Sequence, residues 1–520
     1  MKRLLILLTV TGFLAFGSAG FAAAAPAHAA AAQSTAAAAP KAEQSVTHGS
    51  VTVDGRRIDY TATAGTIILK NQAGKPTGSM FYVAYVKDGL KHPSTRPITF
   101  LYNGGPGSSS VWLHMGAFGP VRVISGDAHH TPPAPYTVVS NQYSLLDASD
   151  LVFIDAMGTG FSRILDKEHG GVGTPKDFYG VDADAASFGQ FIYDYVSRND
   201  RWNSPKYLLG ESYGTTRSAA LVNYLQEHEG MDFNGVLLLS SILDFQTASF
   251  NPGNDEPYIL YLPSYAAAAC YHKVVQCPAD LPAYLDQVRK FAAGEYADAL
   301  MKGDTLPPQE KARVLAKLSA YTGLSPTYLE RARLRVNLFQ FMAQLQRSRG
   351  LITGRLDARY SGAAADELGE YAFNDPQSDA ITGAYTAAFN RYVRQTLKFG
   401  EDRTYVILSD TVNRHWDWKH KTGPFGDFGW PGYTNVAVDL ADAMRYNPHL
   451  QVEIENGYYD LATPFFATQY TVDHMGLPAN LRRNITLKYY DCGHMLYEHL
   501  PSLQELHANL VRFYDRTEHE

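Results

Sequence analysis

Tyr207-Leu208-Leu209-Gly210-Glu211-Ser212-Tyr213-Gly214 decides how this chain is read. Three apolar residues run directly into G-x-S-x-G, and helix-compatible sequence follows from Thr216 to His228. A buried strand that turns sharply into a helix needs glycines where the backbone passes close to itself, and the residue at the apex, Ser212, is pushed out at the sheet's edge. The five-residue pattern is weak alone. The strand before it and the helix after it make it specific.

Working outward, Ile98 to Tyr102, Leu151 to Asp155 and Val236 to Leu239 repeat the texture of a short apolar run followed by a glycine-containing loop. Such runs suit strands of a parallel sheet covered on both faces. Nearer the N-terminus the chain reads as β-rich, with Val51 and Val53, then Ile67 to Leu69, then Phe81 to Val86, separated by turns at Asp54-Gly55 and Ala73-Gly74. From about Phe245 to Gly429 the rhythm stops. Tyr284 to Met301, Pro308 to Leu318 and Pro326 to Gln346 carry the three- and four-residue apolar spacing of helices. Strand texture returns at Leu450 to Glu455 and Ile485 to Tyr490. The expected organisation is one α/β domain, residues 46–245 and 431–520, split by a mainly helical insertion at 246–430 that forms a lid.

A serine hydroxyl is a poor nucleophile near neutral pH and needs a histidine base held by an acid. Two late strands lead into suitable residues: Leu450 to Glu455 into Asn456-Gly457-Tyr458-Tyr459-Asp460, and Ile485 to Tyr490 into Asp491-Cys492-Gly493-His494. Ser212, Asp460 and His494 stand in the chain order that the α/β-hydrolase architecture requires. Singly, each has an ordinary explanation as a helix cap, a turn aspartate or a loop histidine, but the ordered set after three strands does not. Charge developing on a tetrahedral intermediate also needs two fixed N–H donors. The loop Asn103-Gly104-Gly105-Pro106-Gly107 after Ile98 to Tyr102 offers Gly105, and the amide of Tyr213 is the second candidate.

The chain has 520 residues, 45% hydrophobic and 19% charged, with three cysteines and a formal charge of −7. That excludes a disordered chain and a disulfide mini-scaffold, and gives a nucleic-acid partner no electrostatic basis. Lys2, Arg3, the apolar stretch Leu4 to Phe16 and Ala27-His28-Ala29 have the order of a signal peptide over residues 1–29, followed by an Ala-rich flexible segment at 30–45. An uncleaved anchor is the alternative, although Gly17, Ser18 and Gly20 end the apolar stretch short of the about 20 residues of a span. The expected destination is periplasmic or extracellular, with no membrane association after cleavage. Cys270 and Cys277 are the expected pair of a local disulfide in such a compartment. Cys492 is read as a buried apolar side chain, with a pocket-lining thiol as the alternative.

Asn103 to Ser110 (NGGPGSSS), Asp155 to Ser162 (DAMGTGFS), GESYG at 210–214, the segment ending at Asp460 and Gly493-His494-Met495 together resemble the serine carboxypeptidases, in the right order. The resemblance implies a Ser212-Asp460-His494 triad and an oxyanion hole from Gly105 and Tyr213. It also implies that the free C-terminal carboxylate of a peptide is held by Asn103 and Glu211, with acid-favoured activity if Glu211 keeps a proton. The family's second glutamate corresponds to Ala117 here, its loop cysteine to Ser108, the alanine after its Ser-Tyr to Gly214, and a proline to Met157. The expected activity is release of C-terminal residues from peptides by a secreted enzyme. An esterase or acyltransferase with the same triad is the alternative, and a non-catalytic binding protein the third reading. No cofactor is expected: phosphate-loop, dinucleotide and HExxH patterns are missing from the sequence, and His415, Asp417 and His420 are a weak metal grouping in a tryptophan-rich loop.

Overall fold

The computed structural model describes residues 40–372, 374–421 and 432–517. The expected signal peptide and residues 30–39 of the Ala-rich segment lie outside the described residues. Nine strands form the path of the central sheet. In chain order these are β1 (Gln44–Val53), β2 (Arg56–Lys70), β3 (Pro76–Lys87), β4 (Ile98–Tyr102), β5 (Asp150–Ile154), β6 (Lys206–Glu211), β7 (Gly235–Leu239), β8 (Gln451–Gly457) and β9 (Ile485–Tyr490). Their spatial order is β1-β2-β3-β5-β4-β6-β7-β8-β9, with the short strand Arg163–Ile164 paired off β3. The first three strands and the β3–β5 pair are antiparallel, and every pair from β5 to β9 is parallel. The first strand thus starts at Gln44, two residues before the expected domain start at residue 46.

Six helices position the site: α1 (Val181–Arg198), α2 (Tyr213–Glu229), α3 (Glu256–Tyr271), α4 (Pro376–Gln395), α5 (Ala437–Tyr446) and α6 (Leu500–Thr517). Side chains of successive strand residues leave opposite faces. Leu208, Val236, Leu238, Val452 and Ile454 pack with α1, α2 and α5, whereas Tyr207, Leu209, Leu237 and Leu239 pack with α4 and α6. Two-sided burial explains why β4, β5, β6 and β7 are near-continuous apolar runs in the sequence. A third core joins α3 to the helices Pro308–Thr322, Pro326–Arg331 and Leu338–Gln344, and includes Tyr459, Leu461 and Phe465 from the loop after β8. No helix among the described residues is long and apolar enough to cross a membrane.

The sequence between β7 and β8 departs from expectation in one place. Pro326 to Gln346 is not one helix: Arg333 and Leu334 take positive φ of 53° and 67°, and Asn337 starts a new helix through a capping box with Gln340. Its last long helix, α4, packs against the sheet rather than against the other inserted helices. Cys270 and Cys277 are joined as a disulfide just past α3, and Cys492 is a free, buried thiol within the α4–α6 core.

β8 carries an uncommon pair. Glu453 and Glu455 leave its α6-facing side and are buried. Tyr490 donates to Glu455 Oε2 at 2.7 Å, while Glu455 Oε1 and Glu453 Oε1 have no partner among the described residues. Burial, then the neighbouring Glu453 carboxylate, push the Glu455 carboxyl well above its ordinary range. A carboxyl with a raised folded pKa contributes stability that is present below its unfolded pKa and lost as pH rises towards the folded value. The apparent Tm should therefore fall from pH 5 to pH 8, and Glu455→Gln should flatten that fall and raise the Tm at pH 8, the effect being about 1.4 kcal/mol per unit of pKa shift removed. Calorimetric scans at one rate across that pH range check it.

Candidate active site

Three loops leave the C-terminal ends of β4, β6 and β8, and a fourth leaves β9. At the end of β6 the chain reverses into α2 through Ser212, whose φ of 62° and ψ of −130° lie where a non-glycine residue stays only when its surroundings force it. The Ser212 amide donates to the Leu239 carbonyl at 3.0 Å, which helps hold the turn against β7. The hydroxyl-bearing residue is half-buried at the head of α2, as the strand–glycine–helix pattern requires.

The loops after β8 and β9 bring Asp460 and His494 together. His494 Nδ1 lies 2.7 Å from Asp460 Oδ2, and both residues are buried. Asp460 is itself held: the amides of Ala462 and Thr463 donate to Oδ1 at 2.7 and 2.9 Å, and the Thr463 hydroxyl donates to Oδ2 at 2.7 Å. An acid fixed in this way selects the histidine tautomer with Nδ1–H and leaves Nε2 free to accept a proton. Burial works to lower the His494 pKa, but the Asp460 carboxylate and its hydrogen bond outweigh it, and the pKa sits above the ordinary value. The Ser240 hydroxyl, next to the end of β7, donates to the His494 carbonyl at 2.6 Å. Ser212 Oγ makes no hydrogen bond to His494 in this structure, and free-enzyme sites commonly close that bond only around substrate.

The inserted sequence also holds this pair. The His494 amide donates to the Leu356 carbonyl at 2.7 Å, the Leu461 amide to Arg355 at 3.0 Å, and the Ala358 amide to Tyr459 at 2.9 Å. Residues 355–359 thus clasp the acid loop and the histidine loop at once. Asp357, fully buried, is paired with Arg359 within the clasp at 2.6 Å. None of this was visible in the sequence, because main-chain partners leave no residue-type signature.

Beside these loops, the Asn103 side chain at the end of β4 donates from Nδ2 to Glu211 Oε1 at 2.8 Å and accepts the Leu113 amide at Oδ1. Both residues are buried, with Glu211 only 4% exposed. Burial raises the Glu211 carboxyl to about 7, against the lowering effects of His494, Tyr497 and Asn103. Gly104 allows the β4 loop to reach the head of α2: a Cβ there would lie 2.3 Å from the Tyr213 amide nitrogen. Among the described residues neither the Gly105 nor the Tyr213 amide donates to a backbone or side-chain acceptor, and Gly105 is exposed. These two N–H groups are therefore available to a ligand in front of Ser212.

Arg217 of α2 is the residue that pattern reading missed most completely. Its guanidinium is fully buried, pairs with Asp184 of α1 at 2.7 Å and donates from Nη1 to the Asn103 carbonyl at 2.8 Å. It also lies over the rings of Phe188, Tyr102 and Tyr213. Ala117, where the resemblance calls for a glutamate, is fully buried in the turn Leu113–Phe118. The grouping His415, Asp417 and His420 does not assemble: His420 bridges Asp182 at 2.5 Å and Asp439 at 2.8 Å, while His415 Nδ1 faces the Thr411 carbonyl.

With this geometry in hand, the profile of the family described as serine carboxypeptidase matches residues 59–283, which include the Asn103 loop and the Ser212 turn. Over that stretch, less than half of its length, the chain is similar to the serine carboxypeptidase family. Among curated relatives, serine carboxypeptidase-like 41 of Arabidopsis thaliana is 29% identical over 189 residues, 34% of this chain and 35% of that protein. Serine carboxypeptidase-like 45 of the same plant is 25% identical over 207 residues, 37% and 38% of the two chains. The chain therefore spans little more than a third of the length of the curated relatives it matches. Among solved structures, the prohormone-processing carboxypeptidase Kex1(delta)p of Saccharomyces cerevisiae superposes with a TM-score of 0.55 at 17% identity, covering 88% of this chain and 91% of that one. That likeness shows the α/β-hydrolase fold.

Arg217→Lys tests the support beneath the site. A lysine cannot bond Asp184 and the Asn103 carbonyl together from a planar fork, so the protein should lose about 3 kcal/mol of stability, read from denaturant unfolding.

Proposed function

We propose that this chain is a secreted serine carboxypeptidase that removes C-terminal residues from peptides. The observation that carries the reading is the placement of the Asp460–His494 pair and the Asn103–Glu211 pair around one serine turn, a base system on one side and a carboxylate-binding system on the other. Ser212 Oγ attacks the last peptide carbonyl as His494 Nε2 takes its proton, and Asp460 stabilises the resulting imidazolium. The Gly105 and Tyr213 amides receive the developing oxyanion. His494 then passes the proton to the departing amino acid, and water, activated by the same base, releases the shortened peptide from Ser212. No cofactor enters these steps. The inserted helices supply the roof and the side-chain pockets of the cleft, and the signal peptide directs export.

The substrate's free carboxylate binds beside Glu211 only while Glu211 holds a proton, since two buried carboxylates repel. Catalysis also needs His494 neutral. Protonating Glu211 removes a negative charge that raises the His494 pKa, so the two requirements help each other. The pH profile of kcat/KM for a free-acid substrate is then bell-shaped, its alkaline limb set by Glu211 near 7. Below that value the protonated form dominates and binding is favoured, while above it affinity falls roughly tenfold per pH unit.

A blocked dipeptide with a free C-terminus, its amide and its methyl ester, assayed from pH 4 to 8 with Ser212→Ala as the blank, test this. We expect hydrolysis of the free acid to exceed that of the amide by at least tenfold, and Glu211→Gln to remove the alkaline limb for the free acid. Equal turnover of acid and amide, or an ester-only activity, moves the assignment to an endopeptidase, esterase or acyltransferase, and no turnover above the blank to a binding protein.

A further inference from the structure

Three positions after the start of the β9 loop's glycine motif, the turn Leu496–Glu498 carries two buried polar side chains towards Glu211 and the turn Leu113–Phe118. Glu498 is committed: it accepts hydrogen bonds from the hydroxyls of Tyr385 and Ser125. Tyr497 is not. Its ring is 3% exposed, and its hydroxyl closes no well-formed hydrogen bond among the described residues. The same is true of Glu211 Oε2, the carboxyl oxygen turned away from Asn103. The two groups face each other: the Tyr497 hydroxyl is a side-chain donor that lowers the Glu211 pKa, and the Glu211 charge raises that of Tyr497. A buried donor and acceptor that meet only through a loose contact are costly unless a third group completes them.

Gly116 makes room for this arrangement. A Cβ at that position would lie 2.6 Å from the Tyr497 ring and 2.2 Å from the Tyr385 hydroxyl, so only glycine admits both rings there. The next residue is Ala117, which brings no polar group of its own.

We propose that Tyr497 completes the site for the substrate's C-terminal carboxylate, donating its hydroxyl to one carboxylate oxygen while Asn103 Nδ2 and the protonated Glu211 serve the other. The proposal rests on the carboxypeptidase reading above and names a specificity-determining residue within it. A phenol stays protonated throughout the working range, so Tyr497 supplies a donor without a second shared proton. One titrating carboxyl, Glu211, is then left to govern carboxylate binding.

The test is the ratio of kcat/KM for the free-acid dipeptide to that for its methyl ester at pH 6, measured for the wild type, Tyr497→Phe and Tyr385→Phe. Phenylalanine keeps the ring that fills the space beside Gly116 and removes only the hydroxyl. The expected result is a drop in the ratio of at least tenfold in Tyr497→Phe, carried by KM for the free acid, with a drop under threefold in Tyr385→Phe. A wild-type ratio preserved in Tyr497→Phe overturns the assignment of Tyr497 and leaves the carboxypeptidase reading standing. An equal drop in both variants also overturns it, since the effect would then come from the shape of the turn. A wild type that does not favour the free acid removes the carboxypeptidase reading and this inference with it.

Discussion

The site rests on one buried ion pair. Arg217 and Asp184 are both out of water, and a guanidinium in that setting has to satisfy its charge and its donors from within the protein. It does so through three polymer segments: α1 through Asp184, α2 through its own backbone, and the β4 loop through the Asn103 carbonyl. The aromatic rings of Tyr102, Phe188 and Tyr213 enclose it. The spacing between the serine turn and the loop that bears Asn103 and Gly105 is therefore set from below, by an interaction that no reagent in the cleft touches.

From the other side the same loops are held by hydrogen bonds of a different kind. Residues 355–359 reach in from the inserted sequence and bond, main chain to main chain, with the loops of Asp460 and His494. Between the ion pair and the clasp lie a carboxyl whose pKa burial raises to about 7, a histidine whose pKa is raised by the Asp460 carboxylate, and a serine in a strained conformation. Each is uncomfortable alone and stable only because its surroundings are over-determined. That is the usual state of groups arranged for chemistry rather than for packing.

The parallel strands β4 to β7 and the serine turn were legible because two-sided burial writes short apolar runs plainly, and the loops bearing Asp460 and His494 because each follows a stretch of strand texture. The break between Arg331 and Leu338 was not legible, since apolar residues at helical spacing continue through it and only the backbone at Arg333 and Leu334 differs. Arg217 carried no signal in the sequence, because its partner Asp184 is 33 residues away and nothing local marks the pair. Thr463 and Tyr497 carry no motif either, and their parts emerge only from what their hydroxyls meet or fail to meet. Glu453 and Glu455 alternate with Val452 and Ile454, a period-two pattern that reads as a half-exposed strand, whereas α6 covers the acidic side.

The clasp also bears on how such a molecule can be rebuilt. His272, inside the short loop closed by Cys270 and Cys277, lies 2.6 Å from the Ala358 carbonyl through Nε2, so the cross-link, the clasp and the histidine loop form one continuous chain of contacts. A hydrolase sheet is often treated as a chassis on which cap segments are exchanged at will. Here a cap swap that discards residues 355–359 would also discard the carbonyl on which the His494 amide hangs, so a transplant has to carry that five-residue splint along with whatever pocket it is meant to install.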